Sequence, residues 1–192
     1  MQARIIVPTG LLVAAGIAMA IGLEGLTEEA ARIVVRFTAK LALTMLCIAF
    51  SASALRRLFP HPWTRALVRY RRGFGLSFAL SHLTHLAALI MLGVFFPRPF
   101  LGELDALLLL GGGLAYFFLL ALAITSTDAA QMRLGKKWRQ LHLVGSWYIL
   151  IIFTQSYVPR ALVDIAYLPF VLMLAATVLL RVMAWRKKTR NR

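Results

Sequence analysis

The sequence predicts an all-α membrane protein, one domain built as a six-transmembrane-helix bundle, with the N- and C-termini together on the cytoplasmic side. Three observations predict it. First, 60% of the 192 residues are hydrophobic and the mean hydropathy is +0.77. A soluble domain carries about 45–50% apolar residues, and one small core cannot bury this excess. Second, the apolar residues gather into about six runs, each long enough to cross roughly 30 Å of hydrocarbon as a helix of about 20 residues. Third, 22 Lys+Arg stand against 7 Asp+Glu, a formal charge of +15, and the basic residues flank the apolar runs. This pattern excludes a disordered chain, a disulfide scaffold and a nucleic-acid module, whose cations decorate a polar fold. The lone cysteine, Cys47, lies inside an apolar run and has no internal partner.

In order, the spans are about 5–23, 33–55, 73–96, 106–125, 140–157 and 165–185. Lipid offers the backbone no hydrogen-bond partners, so each must be a helix. The first contains Ala18-Met19-Ala20, which resembles a signal-cleavage site; the expectation is that this span is retained. Phe59-Pro60-His61-Pro62-Trp63, Pro97-Arg98-Pro99 and Pro159 carry loop chemistry. Gly111-Gly112-Gly113, inside the fourth run, reads as close helix packing. It is no phosphate loop, because no strand precedes it and no Lys-Ser/Thr follows.

Orientation follows from the basic residues. Arg56, Arg57, Arg65, Arg69, Arg71 and Arg72 separate the second and third spans. Arg133, Lys136, Lys137 and Arg139 separate the fourth and fifth, and Arg186, Lys187, Lys188, Arg190 and Arg192 form the tail. Six spans place all three groups, with the N-terminus, on the cytoplasmic side. Glu24, Glu28, Glu29, Glu103, Asp105 and Asp164 fall on the other side, every acid except Asp128. The basic groups are read as topology determinants lying against anionic headgroups. Asp128 is read as the cap of a short cytoplasmic helix through Met132.

Ionisable residues inside a membrane are costly and point to function. The third span holds His82 and His85, three apart on one helix face, with Gly75 seven residues before His82 on that face. The fifth opens on Trp138-Arg139-Gln140-Leu141-His142. Histidine is the commonest metal ligand, and imidazoles on two facing helices can hold a haem iron from both sides. A glycine beside them would let a flat macrocycle approach the backbone. The competing reading is polar glue between helices. His61, in a Pro- and Arg-rich loop, is expected to be solvated. Arg36 and Lys40 lie four apart near the outer end of the second span. They either snorkel to the headgroups or bind haem propionates or an anionic acceptor.

Arg71-Arg72, Gly75-Leu76 and His85, followed by Ile124-Thr125-Ser126 and Leu134-Gly135-Lys136-Lys137-Trp138-Arg139-Gln140-Leu141-His142, resemble the ferric-reductase-like transmembrane domain family. The nearest likeness is to its small, domain-only members, including the haem-binding membrane subunit of a bacterial periplasmic methionine sulfoxide reductase system. Ferric reductases and NADPH oxidases are its larger members. The resemblance covers roughly spans two to six. It implies a b-type haem protein of a bacterial inner membrane that carries electrons across the bilayer. The chain departs from the family pattern at Gln155, thirteen residues after His142, where the small members usually have His. By that pattern His85 would pair with position 155 in an outer site, and His142 would belong to an inner one.

Depth arithmetic points elsewhere. His142 is five residues beyond Lys137 and His82 ten beyond Arg72, a difference of about 7–8 Å along the helices. For His85 the difference is about 12 Å. This favours one haem b held by His142 and His82, with His85 as the competing partner and a second, outer haem as the weaker alternative. The chain shows no nucleotide-binding motif, so electrons must come from a separate flavoprotein or from quinol and leave to a separate acceptor. That makes it an electron-transfer subunit rather than a complete oxidoreductase. The alternative is a haem-free scaffold on a decayed version of the same fold.

Overall fold

A computed structural model of the chain describes residues 2–97 and 106–190. Its helices are α1 (Ala3–Glu24), α2 (Glu28–Leu58), α3 (Pro62–Phe95), α4 (Ala106–Ile124), α5 (Asp128–Leu134), α6 (Lys136–Val163) and α7 (Leu168–Arg190). A 3-10 turn, Ile165–Tyr167, leads into α7, and no strand occurs among the described residues. Five helices are long and apolar enough to cross a membrane: α1, α2, α3, α6 and the continuous segment Ile165–Arg190. The sixth expected span is α4, whose stretch Leu109–Ile124 qualifies together with α5, bent from it by 103°. The protein is a multi-pass, all-α membrane bundle. Glu103, Asp105 and Arg192, used above for orientation, and Arg98 and Pro99, named above for loop chemistry, lie outside the described residues.

The helices overrun the apolar runs. The expected connection over residues 56–72 shrinks to Phe59, Pro60 and His61, and Arg65, Arg69, Arg71 and Arg72 ride on the first turns of α3. Pro62 supplies a pre-set first helical residue, and the Thr64 hydroxyl accepts from the His61 N–H at 3.1 Å. Likewise α6 runs through Pro159, expected to break it, as far as Val163. Hydropathy marks where a helix meets lipid, whereas the backbone ladder ends at caps. At the start of α2 the cap is Thr27, which accepts from the Ala30 N–H at 3.3 Å, with Glu28 and Glu29 on the positive end of the helix dipole.

α2 is the hub. It packs against α3, α7 and α1, while α4 pairs with α6 and α6 reaches α7. Small residues permit the close α2–α3 contact: Ala42, Ala52, Ser77 and Ser81 are fully buried. The Ser81 hydroxyl donates to the Thr38 carbonyl at 2.9 Å, tying the two helices inside the membrane. α4 and α6 approach at Gly145, where an added Cβ would lie 3.0 Å from Phe118, and at Gly111, where it would lie 3.2 Å from Ile152. The close packing expected of the glycine run therefore holds at Gly111; Gly112 and Gly113 face open space.

Contacts at the ends fix the relative orientation. Gln2 lies against Gly73, in the third to fourth turn of α3. Arg57 at the end of α2 donates to the Ala184 carbonyl at 3.2 Å, and Lys187 to the Arg57 carbonyl at 3.2 Å. Arg72 reaches Asp128 at the α4–α5 bend. Both termini, the α2–α3 turn and the α4–α5–α6 corner thus share one end. Glu24, Glu28, Glu29 and Asp164 cap the other.

Candidate cofactor site

α3 and α6 come together mainly through side chains, and at the basic end the space between α2, α3, α4 and α6 opens into a cavity of about 490 Å³. Leu46, Phe50, Phe78 and Leu119 supply apolar wall, and Arg69, Arg71 and Arg72 line the basic end. Gly75 and His142 both border it. A Cβ added at Gly75 would meet no atom within 4 Å, so the backbone of α3 faces open space there.

His142 is held by its neighbours. The Thr125 hydroxyl donates its single proton to the Ala121 carbonyl at 2.6 Å. Its oxygen then accepts from His142 Nε2–H at 3.0 Å, which leaves the Nδ1 lone pair free. Trp138 stacks on the imidazole, with centroids 4.1 Å apart, and donates from Nε1 to the Thr125 carbonyl at 2.9 Å. Arg71 lies within electrostatic reach of the same ring. Arg72 closes the corner, donating from Nε to the Ser126 carbonyl and from a terminal nitrogen to Asp128 Oδ1 at 3.0 Å. The cap of α5 is Thr127, which accepts from the Ala130 N–H at 3.0 Å. This corrects the expectation for Asp128: its carboxylate is drawn to Arg72, and the preceding hydroxyl takes the cap.

His82 and His85 lie farther along α3, in a layer of rings. They stack on each other with centroids 5.0 Å apart and planes 2° from parallel. His82 also stacks on Phe78 at 5.6 Å and Tyr116 at 5.0 Å, and meets Phe153 of α6 at 5.2 Å. His85 Nδ1 lies 2.9 Å from the Val35 carbonyl of α2. His82 Nδ1 is buried without a hydrogen-bond partner. Phe78 borders the cavity on one side and covers His82 on the other. The structure therefore brings Gly75 and His142 to one cavity and seats His82 and His85 behind Phe78. Among the described residues, no group of three or more His, Cys, Asp and Glu side chains is placed to hold a metal ion.

The other sequence candidates have local partners. Arg36 pairs with Glu29. Lys40 Nζ sits over the ring of Tyr167 at 4.8 Å and of Phe170 at 5.5 Å, a cation–π setting. His61 is exposed, as expected, and caps α3. Gln155 is exposed on α6. Sequence reasoning missed the ring of residues that orient the histidines: Thr125 and Trp138 around His142, and Phe78, Tyr116 and Phe153 around His82. One signal was available, since Gly75, Phe78, His82 and His85 follow a 3-4-3 spacing that puts them on one face.

No family model matches the chain, and no solved structure matches it.

Proposed function

We propose that the chain is a b-type haem-binding membrane protein of the ferric-reductase-like kind. It would pass electrons across a bacterial inner membrane from a separate flavoprotein or quinol to a separate acceptor. Its basic end would face the cytoplasm by the positive-inside rule. One observation carries the reading: a cavity within the bundle bordered by an imidazole and by a glycine whose missing side chain leaves the wall open. The donor set fits. His142 would supply an axial nitrogen, Phe50, Phe78 and Leu119 would exclude water, and Arg69 and Arg71 would face carboxylates. Bound haem supplies a one-electron iron couple whose potential follows its ligands and burial. Thr125 and Trp138 would hold the imidazole in place, as outer-shell partners do for metal ligands.

A second reading, a haem-free scaffold, is favoured by the His85–Val35 contact and the Ser81–Thr38 bond, both of which act as glue between α2 and α3. A reduced-minus-oxidised absorption spectrum of detergent-purified protein, expressed with ample haem, separates the two. The expected result is a b-type spectrum at about one haem per chain, lost in His142→Ala while helical content is kept. Purification without haem, under conditions that load a control b-type cytochrome, leaves the scaffold.

A further inference from the structure

A haem with two protein ligands needs a second donor on the wall facing His142. The described residues of that wall do not offer one. Arg69, Arg71 and Arg72 carry guanidiniums, which stay protonated and have no lone pair to give. The Asp128 carboxylate is paired with Arg72. No Met, Cys or Lys lines the cavity among the described residues, and the remaining polar groups are neutral Ser, Thr and Gln oxygens, poor partners for haem iron beside imidazole.

The two other intramembrane histidines do not border the cavity. His82 would have to pass Phe78, which is 4% exposed and packed between the cavity and the imidazole. It would also have to leave Tyr116 and Phe153. His85 lies one turn farther and contacts α2 through the Val35 carbonyl.

We infer that this chain offers a haem one axial ligand, His142, and leaves the sixth position open to a small exogenous ligand such as carbon monoxide or cyanide. The inference rests on the haem reading above. An iron site with an open position binds and can activate small molecules, whereas one closed by two imidazoles is confined to electron transfer.

The test uses the full-length haem-loaded protein in detergent. Its ferric form is examined by electron paramagnetic resonance and its ferrous form by the spectral change on adding carbon monoxide. The expected result is a high-spin ferric signal and a clear carbon-monoxide difference spectrum, both retained in His82→Ala and in His82→Gln, which keeps a polar group at that site. A low-spin, carbon-monoxide-silent protein that becomes high-spin and reactive in either His82 variant, or in His85→Ala, overturns the inference and identifies the second ligand. A protein that takes up no haem overturns both this inference and the reading beneath it.

Discussion

Gly75 answers to two separate demands, and two substitutions separate them. Glycine in a helix interior costs about 0.5–1 kcal/mol relative to alanine. Where space is short, the methyl of alanine would forfeit that gain, because overpacking costs about 1–3 kcal/mol. At Gly75 space is not short, since the added Cβ meets no atom within 4 Å. Gly75→Ala is therefore expected to stabilise the haem-free protein by about 0.5–1 kcal/mol, a rise in midpoint of about 1–4 °C for a chain of this size. Gly75→Leu keeps most of the backbone gain but extends a side chain into the cavity, so haem content should fall while the fold holds. Gly16→Ala is the control: its Cβ would lie 2.5 Å from Cε1 of Phe37, and a loss of about 1–3 kcal/mol is expected. The assay is thermal unfolding in detergent, followed by circular dichroism, with haem per chain measured on the same samples. If Gly75→Leu destabilises as much as Gly16→Ala, the wall is closed in the molecule and the cavity argument fails. If it folds and keeps full haem content, the haem sits elsewhere.

Three further outcomes are expected. Ser81→Ala removes the buried bond to Thr38 and should cost about 0.6–1.7 kcal/mol, the range for interhelical bonds in membranes, read from unfolding in mixed micelles; no change would mean that packing alone joins α2 to α3. Gln155→His should leave the number of haems per chain unchanged, because position 155 is exposed on α6; a second equivalent of haem would refute that placement. In a Cys47→Ala background, Arg186→Cys should react with an impermeant maleimide only from the cytoplasmic side and Glu28→Cys only from the outside, and labelling of both from one side would overturn the orientation.

The candidate site was partly legible in the sequence. Histidines at positions 82, 85 and 142 stand out because ionisable groups are rare in apolar runs, and Gly75 stands out by sharing the face of His82 and His85. What surrounds them was not legible. That Thr125 accepts a hydrogen bond from His142 Nε2–H, or that Phe78 both borders the cavity and stacks on His82, depends on how α3, α4 and α6 are rotated about their own axes. Lys40 shows the same limit, since the rings of Tyr167 and Phe170 reach it only once α2 packs against the 3-10 turn and α7.

By itself the sequence determined the all-α class, the approximate spans and the separation of basic from acidic ends. These follow from transfer of side chains between water and lipid, and that is a property of each residue on its own. Helix boundaries were decided by local features such as Thr27 and Pro62, which start α2 and α3 ahead of their apolar runs, and Thr127, which starts α5. The cavity, its single bordering imidazole and the ring layer behind Phe78 were decided only by the tertiary structure. Their existence depends on small residues letting α2 and α3 close together while α3 and α6 stay apart, a relation between helices that no single stretch of chain contains.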